Sequence, residues 1–319
     1  MVKTNKSILA VIYIVFHALG RVPGPHRPRR AELIFAWGFT ASRTFRKRAL
    51  VAITRPKELD LLVRMAHMVE RGTVQERMSP HPHRVVSIGA SGSPTEEVDR
   101  VAEAQVLSFL EQEKLDWNLL SEELGYVERG GDRVLALDPI DGSYNVLCGL
   151  PLGTVSLALG TKSLADVNVA VVHDIMSGKT YWASKGGGAY YEGRRITTRS
   201  WRRGADLFFL NLNHNSSDKA RALTSRARRT RSLGCASLEM SLVARGSGDL
   251  YFSESRMQQA NLRVTDIAAA LLILREAGGD ALSTDGSPLD LPLSLKERTS
   301  VLAWGSRELY EEGKREGNW

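Results

Sequence analysis

Val134-Leu-Ala-Leu-Asp138-Pro139-Ile140-Asp141-Gly142-Ser143 is the stretch that decides how this chain folds. Its apolar beginning, Val134 to Leu137, reads as a buried strand, so Asp138 and Asp141 emerge together where that strand ends. Pro139 fixes φ and turns the backbone, which leaves the main-chain carbonyl of Ile140 between the two acids. Gly142 and Ser143 follow, and their N–H groups face an anion if a helix starts here. Two hard oxygen anions, a carbonyl and an anion-binding turn suit Mg²⁺ handing a phosphate to water. A plain strand closed by an Asx/Pro turn has the same local pattern, so the flanking sequence must decide.

Composition narrows the choice. The 319 residues are 43% hydrophobic and 25% charged, enough for one large domain or two joined lobes. Two cysteines, Cys148 and Cys235, make no disulfide framework and fit a reducing, cytoplasmic setting. Both read as small buried side chains. The net charge of +7 invites a nucleic-acid partner, but it is unevenly placed. Residues 1–50 hold ten Lys/Arg against Glu32 alone, which is +9, so residues 51–319 carry −2. A basic nucleic-acid face on the body is therefore not expected.

Residues 1–55 look foreign to the remainder of the chain. Lys3 and Lys6 precede an apolar run from Ser7 to Leu19, and Arg21-Val-Pro-Gly-Pro-His-Arg-Pro-Arg-Arg30 comes next. A secretory signal has this order but wants a small-x-small cleavage site. A membrane anchor wants about twenty apolar residues, and His17 interrupts this shorter run. The favoured expectation is a basic extension outside the fold, added by an upstream start, with no stable membrane span.

From Lys57 the pattern becomes regular. Leu61, Leu62, Met65 and Met68 make a helical face over 58–71, and Val98, Val101, Ala102, Val106, Leu107 and Leu110 make another over 96–113. Strands are expected at 133–138, 153–160, 166–174 and 178–184, then helices at 236–246 and 266–277. The last helix starts beside Thr265/Asp266 and stops at Gly278-Gly279. Helices and strands come in mixed blocks, which predicts layered α/β packing rather than an alternating parallel sheet. His81 and His83 read as loop residues.

Three more acidic stretches stand out. Thr95-Glu-Glu-Val-Asp99 opens the second helix, Ser121-Glu122-Glu123 closes an apolar segment, and Asp266 opens the last helix. Each has a structural explanation as an N-cap, a dipole partner or a solvated turn. Together with Asp138 to Ser143, Gly186-Gly-Gly-Ala-Tyr-Tyr-Glu-Gly193, Gly234-Cys-Ala-Ser-Leu-Glu-Met240 and Glu276-Ala-Gly-Gly279, they resemble the inositol monophosphatase superfamily in order and spacing over about residues 57–310. The likeness is nearest to archaeal-type enzymes acting on both inositol 1-phosphate and fructose 1,6-bisphosphate.

That resemblance implies a five-layer αβαβα sandwich over 56–319, with lobes at about 56–195 and 196–319, assembled as a homodimer. It implies that Glu122, Asp138, the Ile140 carbonyl, Asp141 and Asp266 bind two or three Mg²⁺ ions. Asp141, Gly142 and Ser143 would hold the phosphate, while Asp99 and Ser143, with Glu122 beside them, would serve the attacking water. Residues matching Arg231, Ala236 and Arg256 line the substrate pocket of the archaeal-type enzymes. The chain has Thr265 where inositol-specific members commonly have Trp, which points away from inositol phosphate alone. Related activities, nucleotide 3′-phosphatase and NADP⁺ phosphatase, share the metal motif. A different class, a non-catalytic protein docking through its basic arm, is opposed by the intact acidic positions.

Overall fold

The computed structural model describes residues 56–77, 85–90, 92, 94–256 and 262–319. The N-terminal extension, His81 and His83 lie outside the described residues.

Two short strands, β1 (Val85–Ile88) and β2 (Pro94–Glu96), pair antiparallel ahead of the main body. An eight-stranded sheet then takes β3 (Asn118–Ser121), β4 (Gly125–Val127), β5 (Val134–Asp141), β6 (Thr154–Gly160), β7 (Val169–Asp174), β8 (Lys179–Ser184), β9 (Gly188–Tyr191) and β10 (Arg194–Ile196). Its order is β10-β9-β8-β7-β6-β5-β3-β4, antiparallel except where β3 meets β5. A five-stranded mixed sheet holds β11 (Leu207–Leu210), β12 (Arg229–Arg231), β13 (Leu250–Ser253), β14 (Asp280–Ser283) and β15 (Val301–Trp304), in the order β12-β11-β13-β15-β14.

Neighbouring residues on one strand enter different cores, because successive side chains point to opposite faces. Leu135, Leu137, Leu157, Leu159 and Val171 pack on α1 (Lys57–Arg77) and α2 (Glu97–Gln112), through Leu62, Met65, Val98 and Val106. Ala136, Ala158, Ala170 and Val172 face the other way, onto α5 (Ala236–Ala244) and α6 (Val264–Glu276). Phe209, Tyr251, Val301 and Ala303 of the second sheet close that central core. Phe208, Leu210, Leu250, Phe252 and Trp304 turn outward onto α4 (Asp218–Arg226) and α7 (Arg307–Arg315). The result is the αβαβα sandwich. Every residue of α6 from Val264 to Leu274 is buried, as a helix apolar on all sides from Ile267 onward must be when sheets lie on both sides.

Several boundaries differ from the sequence expectation for physical reasons. Helix α1 continues six residues past Arg71 because Gly72 does not end it. A Cβ at Gly72 would meet the amide end of the Gln105 side chain, which lies over this glycine between α1 and α2. Strand β5 runs through Pro139 instead of turning there. The ladder to β6 shifts between the pairs Asp138↔Ser156 and Asp141↔Thr154, and a proline without an N–H fits such a bulge. Thr95, expected as an N-cap, lies in β2, and Glu96 occupies the cap. Cys235 is buried as expected, but Cys148 is exposed at the end of the five-residue helix α3 (Ser143–Leu147).

Candidate active site

Four element ends meet at the bulge of β5. The turn after β3 brings Glu122, the bulge brings Asp138 and Asp141, and the first turns of α2 and α6 bring Asp99 and Asp266. Glu122, Asp138 and Asp266 each offer a carboxylate oxygen, and these three atoms lie within 4.8 Å of one another. Asp138 Oδ1 accepts a bond from its own Ile140 N at 3.0 Å, which fixes the acid within the bulge. Asp99 and Asp266 occupy equivalent places, the third residue of a helix. Each accepts from the N-cap backbone, Asp99 Oδ2 from Glu96 N at 3.3 Å and Asp266 Oδ2 from Arg263 N at 2.9 Å.

Asp141 is held from across the molecule. Its Oδ2 accepts from both Ser237 N, at 2.7 Å, and Ser237 Oγ, at 2.6 Å, at the start of α5. Cys235 Sγ donates to the Asp141 main-chain carbonyl at 3.2 Å. Ala236, one of the sequence candidates, is buried in this contact and its backbone also bonds Asp141. Gly142 takes φ +85° to cap α3, with its Cα beside the Leu152 and Gly234 carbonyls, where a Cβ would be crowded at 3.2–3.3 Å. Ser143 is the first residue of α3.

So many carboxylates together make the site unfavourable for negative charge. Burial, then Asp141 and Glu122, push Asp138 well above the usual carboxylate range. Burial and Glu123 push Asp99 up to about 8. Burial and Glu122 raise Asp266 to about 7, and burial with Glu122 does the same to Glu123, whose carboxylate accepts from Thr95 Oγ1. Hard oxygen donors that resist ionisation without a counter-charge are the donor set a Mg²⁺-like cation takes. The residues present therefore fit such an ion.

A family model described as "Inositol monophosphatase family" matches residues 66–312. The chain belongs to the inositol monophosphatase family. The fructose-1,6-bisphosphatase/inositol-1-monophosphatase of Methanothermobacter thermautotrophicus is 32% identical over 265 residues, covering 78% of this chain and 92% of that relative. The bifunctional NADP phosphatase/NAD kinase of Methanococcus maripaludis is 31% identical over 243 residues, or 69% of this chain and 42% of that relative. Among solved structures, a Pyrococcus horikoshii protein with similarities to inositol-1 monophosphatase superposes with a TM-score of 0.68 at 28% identity, covering 79% and 94% of the two chains. As a member of this family the protein is a phosphatase, and its layered fold is the family's.

At this candidate site of the inositol monophosphatase-family chain, some residues carry no mark in the linear sequence. Arg263 Nη1 lies 2.8 Å from Glu122 Oε1, with both side chains largely covered. Arg298 faces the same place: burial and the Arg263 charge push its pKa down, while Asp266 and Glu122 push it up. The one available signal for Arg263 is its position three residues ahead of Asp266. Nothing local marks Arg298 or Ser237. The sequence candidates Arg231 and Arg256 are exposed; Arg231 donates to the Thr230 carbonyl, and Arg256 pairs with Asp218 at 2.6 Å on α4. A cavity of about 350 Å³ opens elsewhere, lined by Trp201, Arg203, Arg226, Arg228, Glu312 and Glu316. Arg203 and Arg226 are already paired there with Glu312 and Glu316, so it carries no comparable chemistry.

Proposed function

We propose that the protein is a Mg²⁺-dependent phosphomonoesterase that hydrolyses fructose 1,6-bisphosphate and inositol 1-phosphate. The observation that carries this is the convergence of Glu122, Asp138 and Asp266 within 4.8 Å beside the β5 bulge. Glu122, Asp138, the Ile140 carbonyl, Asp141 and Asp266 would hold two or three ions. When bound, these would neutralise the phosphate and lower the pKa of water. The chain's own groups do the rest. Gly142 and Ser143 offer donors to the phosphate, and Asp99 with the Ser143 hydroxyl orients the attacking water. Arg263 and Arg298 add fixed positive charge where a phosphate dianion would arrive. Ser237 holds Asp141 in place for both tasks.

Thr265, where inositol-specific members commonly carry Trp, supplies no aromatic wall for an inositol ring, which supports use of a bisphosphate as well. A second reading, an NADP⁺ phosphatase or nucleotide 3′-phosphatase, is supported by the similarity to the Methanococcus enzyme. The two unpaired cysteines fit a reducing, cytoplasmic setting, and the family likeness supports a homodimer acting in carbohydrate metabolism. No helix among the described residues is long and apolar enough to cross a membrane. A phosphate-release panel with Mg²⁺ tests the reading, using fructose 1,6-bisphosphate, inositol 1-phosphate, NADP⁺ and adenosine 3′,5′-bisphosphate. Turnover of either of the first two that Asp138→Asn abolishes is the expected result. Equal turnover by Asp138→Asn refutes the site, and turnover of the nucleotides alone selects the second reading.

A further inference from the structure

A second polar cluster lies on the face of the eight-stranded sheet that α1 covers, and the phosphatase chemistry does not use it. His67 and Glu70 project from one side of α1, three residues apart, and His173 comes from β7 beneath them. Glu70 Oε2 stands 3.4 Å from His67 Nδ1 and 3.2 Å from His173 Nε2. All three ligand atoms fall within 4.8 Å of one another. The two imidazoles meet edge-on, with ring centroids 4.6 Å apart.

His173 is the informative member. It is fully buried, and its Nδ1 is engaged with Thr180 Oγ1 at 2.9 Å. Its Nε2 is buried, and the group that faces it is the Glu70 carboxylate, 3.2 Å away without a well-formed hydrogen bond. A buried ring nitrogen held this way has an unused lone pair that a bound ion would satisfy. Burial also keeps the imidazole neutral, the form that binds metals. Thr180 orients the ring through its far nitrogen, as the outer partners of metal-binding histidines do.

We propose that His67, Glu70 and His173 form a binding site for a borderline divalent transition metal, of which Zn²⁺ is the representative, that clamps α1 to β7. Ligands about 2.0–2.1 Å from a tetrahedral Zn²⁺ sit about 3.3–3.4 Å from each other, and the 3.4 Å and 3.2 Å contacts with Glu70 lie close to that edge. Two nitrogens and one oxygen select a borderline ion over Mg²⁺, so this site and the all-oxygen cluster at β5 sort different cations. The His67 side chain is 40% exposed, which leaves room for water as the fourth ligand. Gly178 brings the β7–β8 turn over the group: its absent Cβ would lie 3.6 Å from Glu70 Oε1.

The test uses the full chain, stripped with chelator and titrated with Zn²⁺ in excess Mg²⁺, beside His67→Ala and His173→Gln. The wild type should take up one more Zn²⁺ than either variant. Its Tm should rise by about 5–10 °C at Zn²⁺ about 100-fold above the dissociation constant, a shift that His67→Ala loses. Co²⁺ in place of Zn²⁺ should give a visible absorption band that the variant also lacks. His173→Gln alters a fully buried residue and can fail to fold. His67→Ala removes a part-exposed side chain, and circular dichroism in chelator verifies its fold. Equal Zn²⁺ uptake, or an equal Tm shift, in wild type and folded His67→Ala overturns the site and leaves a metal-free His–Glu–His group.

Discussion

Ser237→Ala tests whether Asp141 is a metal-binding carboxylate held ready by the far side of the molecule. Asp141 Oδ2 receives two bonds from this one residue, from N at 2.7 Å and from Oγ at 2.6 Å, and the substitution removes only the second. A hydrogen bond to a charged group contributes about 1.5–3 kcal/mol. Part of that loss is recovered by the remaining N–H, so about 1.4 kcal/mol, a tenfold effect, is a reasonable expectation. The lost bond favoured the ionised form, so the pKa of Asp141, already raised by burial, rises further. The half-saturating Mg²⁺ for phosphate release should increase about tenfold near neutral pH, in line with losses seen for outer partners of metal ligands. The maximal rate should return at saturating Mg²⁺, and the deficit should shrink at higher pH. Thr154 Oγ1, 2.6 Å from Ser237 Oγ, keeps Cys235 Sγ as a neighbour at 3.4 Å, so the fold should survive. Steady-state phosphate release against Mg²⁺, with a melting curve for each protein, measures all of this. An unchanged Mg²⁺ dependence in folded protein, or a rate loss that Mg²⁺ does not restore, refutes the assignment.

Stability without a cation should fall as pH rises. Burial and neighbouring charge raise Asp99 to about 8 and Asp266 and Glu123 to about 7, so the folded protein keeps protons that the unfolded chain releases near pH 4. This contribution is full below about pH 4 and is lost through about pH 7–8, where Mg²⁺ should restore it. The Tm difference between Mg²⁺ and chelator should therefore widen from about pH 5 to about pH 8, and a constant difference contradicts the charge argument. Arg263→Gln leaves Glu122 without its 2.8 Å ion pair and should cost about 1–3 kcal/mol in chelator, less than a fully buried pair because both side chains are partly solvated. Urea unfolding with and without Mg²⁺ checks it, and the loss should be smaller with Mg²⁺. Leu271→Ala in α6, 1% exposed between the two sheets, should cost about 2–5 kcal/mol by urea midpoint with an unchanged slope. A cost below about 1 kcal/mol would mean that the central layer is not packed as described.

What could be read in the sequence was what is local. The run Val134–Leu137 and the acids Asp138 and Asp141 sit within one strand and its end, so a linear pattern exposes them. The amphipathic faces of α1 and α2 appear for the same reason. The strands of the second sheet did not, because runs such as Leu207–Leu210 and Val301–Trp304 are four residues long and covered on both faces, which leaves no alternation to detect. Partners across the fold were equally hidden. Ser237 lies 96 residues from Asp141, and the contact exists only because α5 begins beside the β5 bulge.

Asp99 and Asp266 show why the site is built where it is. Each is the third residue of its helix and accepts a backbone N–H from the cap, a position where helix geometry favours a charged carboxylate. Burial and then the neighbouring acids oppose this, raising both groups to about 7 or 8. Local structure asks for ionised acids and the assembled cluster asks for protonated ones. Arg263 pairs with Glu122 at 2.8 Å, at one edge of the group. A cation among Glu122, Asp138 and Asp266 would satisfy both demands together. Helix capping on one side, and burial with mutual repulsion on the other, therefore pull these carboxylates in opposite directions, a conflict that a bound cation would relieve.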